Sequence, residues 1–265
     1  MPALFVGHGS PMTMITDNPE RRLLEALGPL LPRPSAILAV TAHWETSGAT
    51  HISDGNFPKT IHDFRGFPQK LYDMTYPAPN APALQARIEE LATSLPIRRD
   101  SGWGFDHGVW GVLRPLFPEA DIPTVAMSLD RSLGAEAHLE LARRLAPLRR
   151  EGVMIVASGN IVHNLRLWRA EQGTQPDWAT GFQKRVNAAV IANDLDTLTR
   201  FTPDDEAAAK AINSAEHYLP LLYAVGARLE GDEAGVFNDT VDGALSMTSY
   251  LIGDPAPLRA LAVQG

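Results

Sequence analysis

The chain has no cysteine among its 265 residues. Disulfides and thiolate metal sites are therefore excluded, and any metal must be held by nitrogen and oxygen ligands. It also lacks an excess of basic residues: 23 Lys and Arg against 31 Asp and Glu leave a net charge of -8. Nucleic-acid partners leave a basic footprint, so none is expected. No apolar run is long enough to span a bilayer, so no membrane partner is expected either. Pro2 and Ala3 lead straight into a strand-like segment with no basic n-region or apolar h-region before it, and a cytoplasmic protein is expected. Nothing resembling a linker, an internal repeat or a low-complexity tract interrupts the chain. Its length can bury one large core, so residues 1–265 are read as a single domain. The sequence is compatible with a monomer or a homo-oligomer.

What the chain does have is histidines at the ends of apolar runs. His8 follows Ala3-Leu4-Phe5-Val6-Gly7, His43 follows Ile37-Leu38-Ala39-Val40-Thr41-Ala42, and His163 comes just past the run from Val153 to Ser158. Short unbroken apolar runs of this kind read as strands of a parallel sheet buried on both faces. Between and beyond them lie helical patterns at residues 19–31, 83–94, 108–116, 134–150, 178–192, 206–213 and 215–228. Further strands are expected at 49–53, 122–129, 235–237 and 244–251. The alternation predicts an α/β fold, a three-layer α/β/α domain around a central, mostly parallel mixed sheet. Parallel strands end on a common edge, and ligands bind in the crevice outside those carboxyl ends. Imidazoles delivered to one such edge point to a divalent transition metal.

Each histidine also has a plainer reading as a capping or hydrogen-bonded core residue. His8 lies between two glycines that let backbone approach a ligand closely. His43 precedes Trp44. His217 opens an apolar helix in Glu216-His217-Tyr218-Leu219-Pro220, and His107 precedes another in Phe105-Asp106-His107-Gly108. Singly each is weak, but five histidines at strand ends and helix starts form a pattern. His51 and His138 read as structural or surface residues. Residues 54–82 form a long irregular stretch that is too aromatic for a disordered linker, with Phe57, Phe64, Phe67, Tyr72 and Tyr76. It reads as an ordered loop walling a pocket, in which His62, Phe67 and Tyr76 are candidate substrate contacts. A serine hydrolase on Ser10 or Ser158 is the weakest alternative, since Gly-His-Gly-Ser-Pro is not the Gly-x-Ser-x-Gly elbow.

The ordered set of motifs resembles the class III extradiol ring-cleavage dioxygenases, in the branch similar to 4,5-DOPA dioxygenases. The matching stretches are Gly7-His8-Gly9-Ser10-Pro11, Ala42-His43-Trp44, Ile61-His62-Asp63-Phe64 with Gly66-Phe67-Pro68, and Tyr76-Pro77-Ala78-Pro79. They continue with Gly104-Phe105-Asp106-His107-Gly108, Ser158-Gly159-Asn160 with Val162-His163-Asn164, Glu216-His217-Tyr218-Leu219-Pro220 and Gly243-Ala244-Leu245-Ser246-Met247. The resemblance spans nearly the whole chain and implies a catalytic domain that opens the ring of a catechol with O₂. It implies a metal held by His8, His43 and His217, with His163 as acid/base or fourth ligand and His107 as a catalytic hydrogen-bond donor. Fe(II) is implied for activity, with Zn(II) also found at such sites. Some relatives carry a glutamate as third ligand, so Glu216 is the rival to His217. A zinc-dependent hydrolase and a non-catalytic metal-binding member of the superfamily are the competing readings.

Overall fold

The computed structural model describes residues 1–93, 95–201 and 204–264. Its strands, in chain order, are β1 (Ala3–Gly7), β2 (Ala36–Thr46), β3 (Thr50–Ser53), β4 (Ile97–Asp100), β5 (Thr124–Asp130), β6 (Val153–Gly159), β7 (Glu233–Phe237), β8 (Val241–Asp242), β9 (Leu245–Ser246) and β10 (Ser249–Gly253). All but β8 and β9, which pair as a separate small hairpin, form one sheet ordered β4-β3-β5-β2-β6-β1-β10-β7. Its centre, β5-β2-β6-β1, is parallel throughout, while β10 and β7 close one side antiparallel. This is the expected mixed sheet.

Alternation within the central strands divides the core in two. Phe5, Leu38, Val40, Val125, Met127 and Ile155 face one side, where Leu84, Leu141, Leu145, Phe182 and Leu222 from helices pack on them. Leu4, Val6, Ile37, Ala39 and Met154 face the other, against Leu24, Leu27, Val109, Trp110 and Leu113. Both faces are therefore covered by helices, which completes the three layers. Among the described residues, no helix is long and apolar enough to cross a membrane.

Several boundaries differ from the pattern-based expectation. The helix expected over 19–31 ends at Leu27 and tightens into a 3₁₀ turn at Gly28–Leu30, where Pro29 offers no N–H. The one expected over 134–150 is two helices, Ala135–Leu145 and Pro147–Arg150, parted at Pro147 for the same reason. The last expected strand splits into β9 and β10. Helix Pro82–Leu91 ends before Ser94, which lies outside the described residues. Strand β4 was not expected: Ile97-Arg98-Arg99-Asp100 is a polar edge with no apolar run to mark it. The helices Leu165–Glu171 and Ala256–Gln264 were likewise unmarked.

Candidate metal centre

The carboxyl edge of β1, β2 and β6 gathers the histidines, and local structure explains how. β1 ends at Gly7 and His8 follows, its amide donating to the carbonyl of Gly159 at the end of β6 (3.3 Å). β2 does not stop before His43, as the apolar run suggests, but continues to Thr46. Its register against β5 shifts between Val40 and Glu45, and His43 lies in that irregular stretch. A bulge of this kind re-aims a side chain, here at the sheet edge rather than into the core. His217 comes from the short segment before helix Leu219–Gly226. Its carbonyl accepts from the Asn160 amide (2.8 Å), which straps it to the end of β6.

His8, His43 and His217 each offer a ring nitrogen, and the three nitrogens all lie within 4.8 Å of one another. The Nε2 atoms of His43 and His217 are 3.3 Å apart. Each imidazole is oriented through its other nitrogen. His8 Nδ1 pairs with Ser158 Oγ (2.9 Å), and His217 Nδ1 with Glu216 Oε1 (3.0 Å). His43 Nδ1 faces two carboxylates, Asp63 at 3.1 Å and Asp106 at 3.7 Å, with Asp63 off the line of an ideal hydrogen bond. An outer hydrogen-bond partner holds a ligating histidine in one tautomer, as at His8 and His217, while the two carboxylates facing His43 act on it through charge. Glu216 serves as that partner to His217, which places the histidine and not the glutamate in the convergent group.

Around this triad stand His107 and His163. His107 opens helix His107–Leu116, and its ring lies 4.1 Å from that of His43, centroid to centroid. Asp63 holds it twice, accepting from the backbone amide (2.9 Å) and pairing with Nδ1 (2.8 Å). His163 stacks flat on His217, with centroids 3.5 Å apart and planes at 6°. It groups with Glu216 and His217 and not with the convergent triad. Asp106 is fully buried beneath the site, where it caps the helix through Val109 and accepts from Thr41 Oγ1 (2.8 Å) and Trp103 Nε1 (3.1 Å).

The electrostatics leave most of these rings neutral. Burial, and then neighbouring His43 and His217, holds His8 well below the ordinary histidine value. Burial lowers His217 and His107 as well, against the opposing pull of Glu216 and Asp63. His163 falls to about 3 through burial and the adjacent His217. His43 goes the other way: burial opposes its charge, but Asp106 and Asp63 outweigh it and raise it to about 9. Partial desolvation of the Asp63 carboxyl opposes its charge, yet His107 and His43 hold it well below the usual carboxylate range. Neutral imidazoles with converging lone pairs form a nitrogen face suited to a divalent cation, which would displace the proton of His43.

The aromatic loop reaches this cluster through Phe64, whose ring lies 5.7 Å from His107 and 5.2 Å from Phe67. His62 sits deeper in the loop, with Nε2 on the Met74 carbonyl (3.0 Å) and its ring among Phe64, Tyr72 and Trp110. Tyr76 is fully buried, and its hydroxyl donates to Phe117 O (3.0 Å), so it anchors the loop instead of facing a ligand. Ser158 is buried and occupied by His8, which removes it as a nucleophile. Sequence reasoning missed Asp63, Ser158 and Asp106 as orienting groups. A carboxylate next to His62 or His107 was visible in the motifs, but nothing local indicated which imidazole it would hold.

Residues 2–242 match the family described as the catalytic LigB subunit of aromatic ring-opening dioxygenase. The chain is 47% identical over 260 residues to a protein of Escherichia coli K12 named 4,5-DOPA dioxygenase extradiol, covering 96% of this chain and 95% of that one. A protein of the same name from Beta vulgaris is 34% identical over 260 residues, covering 93% and 94%. The fold is similar to the crystal structure of an uncharacterized protein from Escherichia coli K12, with a TM-score of 0.82, 42% identity, and coverage of 96% of this chain and 100% of that one.

Proposed function

The chain belongs to the family of the LigB catalytic subunit of aromatic ring-opening dioxygenases, and from that premise we propose that it opens the ring of a catechol with O₂ at a metal held by His8, His43 and His217. It is an extradiol ring-opening dioxygenase. The observation that carries the metal assignment is the convergence of those three ring nitrogens, each imidazole being oriented from behind by Ser158, Asp63 with Asp106, or Glu216. A redox-active ion such as Fe(II) supplies the means for triplet O₂ to react with a singlet catecholate, which zinc cannot do for want of an accessible redox change.

The chain's own residues do the rest. His163, stacked beside the triad, takes the proton from a catechol hydroxyl, the negative charge left on the catecholate favouring the imidazolium against the burial that opposes it, and returns it during ring opening. His107, with Nδ1 donating to Asp63, presents Nε2 as an acceptor for a catechol hydroxyl, and that nitrogen donates to an oxygen once it has taken up the proton. Phe64 and Phe67 exclude water and pack on the aromatic ring, with His62 against Phe64 and Tyr76 anchoring the loop through Phe117. The names of the relatives make a catechol with an amino-acid side chain, such as DOPA, the first substrate to try.

The test is anaerobic reconstitution with Fe(II) or Zn(II), followed by oxygen uptake and visible absorbance across a catechol panel. The Fe(II) form should consume O₂ and give a ring-opened chromophore, and the zinc form should do neither. Equal uptake by iron-free zinc protein would rule out the mechanism, and ester or amide hydrolysis by it would favour a hydrolase.

A further inference from the structure

The His43 ring lies between two sets of groups able to hold a cation. Its Nε2 belongs to the convergent triad, 3.3 Å from Nε2 of His217. Its Nδ1 faces Asp63 and His107, and His43, Asp63 and His107 again offer ligand atoms that all lie within 4.8 Å of one another. Asp63 Oδ2 stands between the two rings, 3.1 Å from His43 Nδ1 and 2.8 Å from His107 Nδ1. Zinc takes imidazole nitrogen and carboxylate oxygen at about 2.0–2.2 Å, so two donors at right angles on one ion are about 3 Å apart. His163, Glu216 and His217 are grouped as closely, but the His163 and His217 rings are stacked at 6° with centroids 3.5 Å apart. In-plane lone pairs of stacked parallel rings cannot meet at one ion. The His43 and His107 rings are tilted by 31° with centroids 4.1 Å apart, and theirs can.

Hydrogen bonding accounts for only half of this second group. His107 Nδ1 donates to Asp63, but His43 Nδ1 is buried and bonds to nothing, although Asp63 and, at 3.7 Å, Asp106 both face it. Neither carboxylate pairs with a Lys or Arg among the described residues, and Asp106 is fully buried. Buried charges are paired or coordinate metals. The Nδ1 side of the ring is also kept open by a glycine: a Cβ on Gly108 would lie 3.2 Å from His43 Nδ1 and 3.1 Å from Asp106 Oδ1. The Asp63 side chain retains 14% exposure, which gives an ion a way in.

From this arrangement we propose that His43 Nδ1, Asp63 and His107 Nδ1 form a second divalent-cation site, joined to the triad through the His43 ring, and that an ion there is inhibitory. Two imidazoles and a carboxylate with a fourth position open are a zinc-type donor set. Binding releases the remaining ring proton of His43 to solvent, so the imidazolate bridges the two ions. The inhibitory role rests on the ring-cleavage reading. With Asp63 as its partner, His107 carries its proton on Nδ1 and leaves Nε2 free to accept. With an ion on Nδ1 the proton moves to Nε2, which can then no longer accept from a catechol hydroxyl.

Zn(II) is the probe. Equilibrium dialysis of metal-free wild type against saturating zinc should give two ions per chain, and zinc-soaked crystals two anomalous peaks, one on each side of the His43 ring. Asp63→Asn and His107→Gln should each keep one ion, on the triad side. Added zinc should abolish turnover of the iron-loaded wild type while its iron content stays constant. One ion per chain at saturation, or a second ion retained in both variants, overturns the site and leaves the ring-cleavage reading standing. Turnover lost only as iron leaves the protein overturns the inhibitory role. An iron form that consumes no O₂ with any catechol overturns the ring-cleavage reading and the inhibitory role with it, while two zinc peaks flanking His43 would still uphold the second site.

Discussion

Replacing Gly159 by alanine should disable the proposed metal centre without touching a single proposed ligand side chain. Gly159 ends β6, and a Cβ there would sit 3.1 Å from the carbonyl carbon of His217 and closer still to its oxygen. Ordinary carbon–oxygen contacts are no shorter than about 3.3 Å, so the His217 backbone must retreat. The same carbonyl accepts the Asn160 amide at 2.8 Å, a bond worth about 1 kcal/mol that the retreat would weaken. Overpacking of this kind costs on the order of 1–3 kcal/mol, and each kcal/mol lowers Tm by roughly 2–4 °C in a chain of this size class. The larger effect falls on the ligand. Losing an orienting partner weakens metal binding by about 10–100-fold, and a displaced backbone should do at least that. The assay pairs a metal titration with thermal unfolding in the presence and absence of metal. Gly181→Ala, on the exposed side of helix Asp177–Ala192 with nothing near its Cβ, is the control and should be neutral or stabilising by up to about 1 kcal/mol. Wild-type metal affinity in Gly159→Ala would refute the strap between β6 and His217.

His217→Ala should lose most of its bound metal while Glu216→Gln keeps it with modestly weaker affinity; the reverse order in metal analysis would make Glu216 the ligand. His163→Ala should retain its metal and bind catechol yet turn over on the order of 10²–10⁴-fold more slowly, with partial recovery at higher pH, whereas metal loss matching that of His43→Ala would mark it as a fourth ligand. Far from the site, His138 is buried with Nδ1 on the Tyr223 hydroxyl (2.9 Å), and burial lowers it from 6.5. The unfolded chain therefore binds the proton first, and stability is full above pH 6.5 and declines as pH falls from 6.5 through the lowered native value. Urea unfolding of wild type and His138→Gln should give a gap that narrows on acidification through that window, and a gap constant with pH would contradict the burial argument.

The parts of this site that announce themselves in sequence are those that depend on strand ends. β1, β2 and β6 are buried on both faces and so read as unbroken apolar runs, which place His8, His43 and the neighbourhood of His163 on one edge from the sequence alone. His138 was also within reach of pattern, since it shares the buried face of its helix with Leu141, Ala142 and Leu145. Where the pattern failed, the determinant was not local. The strand through His43 runs past its apolar stretch because a register shift, set by pairing with β5, keeps it in the sheet. β4 exists because β3 offers it an edge, and not because Ile-Arg-Arg-Asp resembles a strand.

The same division separates the residues proposed to bind from those that aim them. A metal face needs imidazoles, and imidazoles are rare enough to stand out wherever they occur. Their orientation comes from ordinary residues whose meaning is purely positional: Ser158 reaches His8 across 150 residues of chain, and Asp63 reaches His107 across 44. Asp63 shows how much depends on such a pairing. One carboxylate fixes His107 through both its backbone and its ring while also facing the ring of His43, so it sets the tautomer of His107 and the charge of a proposed ligand together. The loop that carries it is the one whose aromatic residues wall the site. Movement of that loop would therefore shift Phe64 and the electrostatics of the proposed metal face in a single step, because Asp63 and Phe64 are neighbours in sequence and both lie against His107.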